Sequence, residues 1–246
     1  AKNQHLFNVL HILPYSMPLL TKSKYVLGLE CERCLWDAFN DKENVIPATV
    51  SQQHRMSEGL IVGQLAQQLF PEGILLPQDW KENIAQSKKY LKRRGILFEA
   101  GFLRGSCYAR ADILLPSSSN GAETWDIVEV KSSTSVKEEH VSDVAFQKYC
   151  YTGAGLNINK CYLIHINNEY VRQGAIDPYQ LFSKVDITAD VAEEEKKRDL
   201  PATVQRLLAL IANKTPPIIK ICEETKESQD CHWELPPGSV FDLYRG

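Results

Sequence analysis

Apolar residues along this chain recur first with a helical period and then with a period of two. Between residues 49 and 70, Met56, Leu60, Val62, Leu65, Ala66, Leu69 and Phe70 fall at near-helical spacing, and the run ends at Pro71 and Gly73. Residues 78–94 repeat the pattern, with Trp80, Ile84 and Leu91 on one side and Gly95 after the last turn. The period then changes. Residues 95–103, 106–116 and 124–131 read as three strands, with Gly105 and "SSSNGAE" as turns, which predicts an antiparallel meander. A helix is expected over 138–152, stopped by Gly153 and Gly155. It is followed by a strand over 160–167 and a short one over 169–176. One or two surface helices broken at Pro201 are expected over 188–213, then an irregular cysteine-bearing tail. The expected fold is α/β, a mixed central sheet with an antiparallel meander flanked by helices. Residues 1–18 form an N-terminal extension to a single domain over 19–246, and the apolar ending "SVFDLYRG" reads as if more protein follows.

Composition narrows the function classes. At 246 residues, 43% hydrophobic and 24% charged, the chain is ordinary globular material. Its net charge of −3 excludes a global positive field, so any nucleic-acid site has to be a local patch. Seven cysteines, an odd number, fit free thiols or metal ligands in a reducing cytosol better than a disulfide framework. The apolar run Leu6–Leu13 is interrupted by Asn8 and His11 and is too short to span a bilayer, so a cytoplasmic location without membrane contact is expected.

The chemistry concentrates in "WDIVEVK", residues 125–131. As a strand it places Trp125, Ile127, Glu129 and Lys131 on one face, with Val128 and Val130 on the other. Burying a carboxylate and an ammonium together is costly unless they pair or serve a ligand. The turn at 116–123 folds the preceding strand back, which brings Asp112 near Glu129 and Lys131. Two neighbouring carboxylates repel, which raises a pKa or recruits a cation. Mg²⁺ or Mn²⁺ takes such oxygens, with the Val130 carbonyl as a further ligand. Lys131 is then placed to orient or deprotonate water, or to neutralise charge on a phosphate. The alternative is a structural ion pair.

Asp112 followed by Glu129-Val130-Lys131 resembles the core of the PD-(D/E)XK nucleases. "AFQKYCY", with Gln147 and Tyr151 four apart on a helix, resembles the Q-x-x-x-Y motif of the RecB-type exonuclease branch, which includes the iron–sulfur nucleases of CRISPR adaptation. "LTKSKYVLGLECERCLW" is similar to that branch's opening. "RADIL", "VEVKSSTSVK" and "DVAFQKY" resemble the amino-terminal part of a bacterial family of unknown function within it. The resemblance spans roughly residues 19–240. It implies a restriction-endonuclease-like core and metal-dependent hydrolysis of DNA, exonucleolytic, on single strands or ends. Asp112 and Glu129 would be metal ligands and Lys131 the catalytic lysine, with Gln147 and Tyr151 positioning DNA or that lysine. Where the branch often adds a helix histidine this chain has Gly63, with Glu58 as the nearest substitute and Glu99 as a further candidate. An idle nucleic-acid-binding or partner-docking domain on the same fold is the alternative.

The branch's cluster uses one N-terminal and three C-terminal cysteines. Here Cys31 and Cys34 form a C-x-x-C and the tail offers Cys222 and Cys231, a two-plus-two set for a [4Fe–4S] cluster or Zn²⁺. Cys107, Cys150 and Cys161 read as small core residues. Lys88, Lys89, Lys92, Arg93 and Arg94 surround Tyr90, a candidate phosphate-contacting and base-stacking patch. The same run also suits a solvated helix C-terminus.

Overall fold

The computed structural model describes residues 18–45 and 47–218. A two-residue strand β1 (Leu20–Thr21) leads into α1 (Lys22–Glu30), α2 (Glu32–Asn40), a short 3-10 turn and α3 (Val50–Gln67). Next come β2 (Ile74–Leu75), α4 (Trp80–Leu91), β3 (Leu97–Arg104), β4 (Cys107–Ser119) and β5 (Ala122–Lys131). The rest is α5 (Glu138–Gly153), β6 (Ile158–Ile166), α6 (Pro178–Leu181), β7 (Phe182–Asp186), α7 (Thr188–Lys197) and α8 (Leu200–Ala212). The strands form one mixed sheet in the order β2-β3-β4-β5-β6-β7, with β1 alongside β4. β3, β4 and β5 are the antiparallel meander, and β6 lies parallel to β5 after the α5 crossover.

Alternation in β5 sorts residues between two apolar layers. Trp125 and Ile127 join the larger core beneath α5, with Val144, Phe146, Leu163, Val204 and Leu207. Val128 faces the other way, onto a smaller cluster with Phe98, Ile113 and Ile164, against which Leu69, Phe70 and Val130 pack. Tyr25 of α1 stacks on Phe146 of α5 with ring centroids 4.7 Å apart, and Leu20 and Thr21 pair with Cys107 and Tyr108. These contacts fix the start of α1 beside the middle of the sheet.

The structure differs from the sequence expectations at several elements. Residues 169–176 form an irregular loop, and β7 lies further on, where Phe182–Asp186 finds β6 to pair with. The helical break falls at Asp199, which is left-handed (φ 41°), and Pro201 sits within the first turn of α8. Proline is tolerated there because that turn's N–H groups have no intrahelical partner. α8 buries Val204, Leu207 and Ile211, so it is a core helix. α3 is a helix as its period predicts, yet Met56 and Leu60 are 64% and 71% exposed. Cys107, Cys150 and Cys161 are buried in the core as expected.

Candidate functional site

The site lies where three strands stop pairing regularly. The β4–β5 ladder runs from Ser119 opposite Ala122 to Ile113 opposite Val128. One step further along, Asp112 comes level with Glu129, and there its Oδ2 accepts the Val130 N–H at 2.6 Å. β5 continues on β6, with Lys131 level with His165. On the other side, the β3–β4 ladder skips Glu99, whose φ of +58° is rare for a residue with a Cβ.

Helix α5 closes the arrangement with one stripe of its surface. Asp143, Gln147 and Tyr151 follow at intervals of four and all turn toward the sheet. The Lys131 ammonium bridges Glu129 Oε1, at 3.0 Å, and Asp143 Oδ2. Gln147 Nε2 donates to Glu129 Oε2 at 2.5 Å, while its own Oε1 is buried without a hydrogen-bond partner. The Tyr151 hydroxyl donates to the Ala100 carbonyl and accepts the Ala111 N–H at 2.7 Å. Ala100 and Ala111 are cross-strand partners, so the hydroxyl is set into the ladder beside Glu99 and Asp112. Tyr151 is fully buried and braces strands rather than reaching toward Lys131 or solvent. The resemblance assigned it, with Gln147, to positioning DNA or the lysine; here Gln147 instead holds a carboxylate.

One further cation arrives from outside the motif. Lys22, the first residue of α1, donates from Nζ to Glu129 Oε1 at 2.5 Å. Two ammonium groups therefore share one carboxylate oxygen. Burial alone would raise the Glu129 pKa, but Lys22 and Lys131 outweigh it and hold the carboxyl at about 2. Asp112 goes the other way: burial first, then the Glu129 carboxylate, push it up to about 7 against the pull of Lys22. Burial would discharge Lys131, yet Glu129 and Asp143 hold its pKa above the ordinary lysine value, so it is a cation. Burial also raises Glu99, against Arg110 at 3.4 Å.

The cluster opens into a cleft of about 500 Å³ whose walls include Lys22, Gln78, Glu99, Arg110 and Asp112. Its oxygen donors suit a hard divalent ion. Among the described residues no three His, Cys, Asp or Glu side chains converge on one point as they stand. Glu129 Oε1 already takes two ammonium groups, so an ion on that oxygen displaces one of them, whereas Oε2 takes only the Gln147 N–H. Asp112 and Glu129, one step beyond the Ile113–Val128 pair on neighbouring strands, have the donor chemistry for such an ion. Val130, expected to offer its carbonyl, engages Asp112 through its N–H.

Other expected residues lie apart from this cluster. Glu58 is exposed on α3 beside His54, with 3.3 Å between Glu58 Oε1 and His54 Nε2. Lys88, Lys89, Lys92 and Arg93 end α4, and Lys89 and Arg93 sit over the Tyr90 ring, which packs partly into the core. Arg94 covers Trp125 and donates to the Ser117 carbonyl. Ser117 is five residues along β4 from Asp112, about 17 Å at a strand's rise. That basic run therefore flanks the β4–β5 hairpin rather than the cleft. Cys31 caps α2, its Sγ accepting the Cys34 N–H at 3.2 Å, while Cys222 and Cys231 lie outside the described residues. Sequence reasoning missed Lys22 and Asp143. Asp143 had a signal, the same four-residue spacing before Gln147; Lys22 is 107 residues from Glu129 and had none. Compared with protein-family models and with curated proteins, the chain matches none.

Proposed function

We propose that the chain is a divalent-metal-dependent nuclease with a PD-(D/E)XK-type site that hydrolyses DNA phosphodiester bonds, exonucleolytically, on single strands or ends. The observation that carries this reading is the position of Asp112 level with Glu129 at the parting of β4 and β5, with a charged Lys131 held between Glu129 and Asp143. Asp112 and Glu129, with the Val130 carbonyl, are the residues to hold Mg²⁺ or Mn²⁺, which when bound activates water and neutralises phosphate charge. Glu129 and Asp143 hold Lys131 charged in the ion-free protein, which favours a role in stabilising negative charge growing on the phosphate. Gln147 fixes the carboxylate plane of Glu129, and Asp143 fixes the ammonium of Lys131.

The test is digestion of end-labelled single-stranded DNA with and without Mn²⁺, using the wild type, Lys131→Met and Asp112→Asn. Both variants should lose roughly 10²-fold or more in turnover while remaining folded. Activity unchanged in both would end the reading. A second reading, an idle nucleic-acid-binding or partner-docking domain, draws on the ties of Glu129 to Lys22, Lys131 and Gln147. It predicts DNA retention with no Mn²⁺-dependent product.

A further inference from the structure

Resting on the nuclease reading, we propose that Lys22 is the exchangeable counter-ion of the site. Its ammonium holds Glu129 Oε1 in the ion-free protein and leaves for the cleft when a divalent ion takes that oxygen. Of the two ammonium groups on Oε1, Lys22 is the one built to leave. Lys131 is also tied to Asp143, whereas among the described ion pairs Lys22 has Glu129 alone. The two side chains are similarly exposed, 24% and 22%, but Lys22 lines the cleft and Lys131 is not among its lining residues, so the path out of the site lies open to Lys22. Its place in the chain makes the pairing specific. A lysine in the first turn of a helix opposes the helix dipole, and the first turn of α1 carries no acidic residue to offset it. What holds the ammonium there is the carboxylate across the sheet. Arg110 and Glu99 border the same cleft, so an ammonium released from Glu129 remains beside the space a substrate phosphate would enter. Ion uptake and phosphate capture are thereby coupled through one side chain.

The experiment is calorimetric titration of Mn²⁺ into the wild type, Lys22→Met and Lys22→Arg without nucleic acid. Lys22→Met should bind Mn²⁺ about tenfold tighter or more, because a part-screened unit charge no longer competes for the same oxygen. Lys22→Arg, which keeps the charge, should bind no tighter than the wild type. Equal or weaker binding by Lys22→Met overturns the proposal. Should that variant fail to fold, lysine side-chain NMR of the wild type decides. The Lys22 ammonium signal should be lost at saturating Mg²⁺ while that of Lys131 remains, and its persistence overturns the exchange. A wild type that binds no divalent ion, with Glu129→Gln behaving identically, removes the nuclease reading itself. Ion binding that needs Glu129 but ignores Lys22 removes this inference alone.

Discussion

Replacing Tyr151 by Phe deletes one oxygen and leaves the ring's packing, including its edge-to-face contact with Phe102 at 4.7 Å, in place. That oxygen serves two backbone groups, the Ala100 carbonyl and the Ala111 N–H, at a fully buried position. Each group left unpaired away from water costs about 1–3 kcal/mol. The two are cross-strand partners and recover part of this by closing on each other. A loss of about 2–4 kcal/mol is therefore expected. For a domain of this size that lowers the melting temperature by roughly 6–12 °C. Urea denaturation followed by far-UV circular dichroism measures it, with the slope unchanged because the surface exposed on unfolding is the same. Mn²⁺ affinity should stay near the wild-type value, since the Tyr151 hydroxyl bonds to Ala100 and Ala111 and to neither carboxylate. A variant as stable as the wild type within about 0.5 kcal/mol, yet with impaired DNA cleavage, would refute the bracing role. It would restore the substrate-positioning role that the sequence resemblance implies.

Two further outcomes follow from the packing. Burial and the Lys131 charge lower His140 to about 4, and its Nδ1 accepts the Lys137 N–H at 3.2 Å at the start of α5. The unfolded chain takes up this proton near pH 6.5, well before the folded one does. The wild-type advantage in stability over His140→Gln should therefore shrink by up to about 3 kcal/mol between roughly pH 6.5 and 4, with the opposing titrations of Asp112 and Glu129 cancelling from the comparison; parallel pH series of urea midpoints for the two proteins would refute this. A Cβ at Gly28 would stand 2.7 Å from Leu35 Cδ2 and 3.0 Å from two Leu207 methyl groups, where α1, α2 and α8 meet. Gly28→Ala should thus cost about 1–3 kcal/mol through overpacking despite its better helix propensity, and a thermal melt at or above that of the wild type would show that the junction yields.

How much was legible beforehand depends on the range of the interaction that decides each feature. The meander, α3, α4, α5 and β6 could be read locally, because side-chain periodicity and Gly or Pro stops act within one element. The nearness of Asp112 to Glu129 and Lys131 followed from a single hairpin, and Gln147 and Tyr151 from one helix face. The loop over residues 169–176 was misread as a strand. Its β-forming residues have no neighbouring strand to pair with, and strand propensity is realised only against a partner.

The order of elements and the carboxylate–lysine constellation rest on short spacings and can be read along the chain. What those groups do to one another depends on long-range packing. Packing of Tyr25 on Phe146 and pairing of β1 with β4 carry Lys22 onto Glu129 across 107 residues. Under α5, burial raises Asp112, while against burial Lys22 and Lys131 hold Glu129 ionised and Glu129 and Asp143 keep Lys131 a cation. Tyr151 changes from a motif residue into a brace for the same reason. The physical cause is desolvation: a charge or hydroxyl in water is governed by its own chemistry, whereas one buried in a sheet is governed by whichever partners the fold brings within about 3 Å.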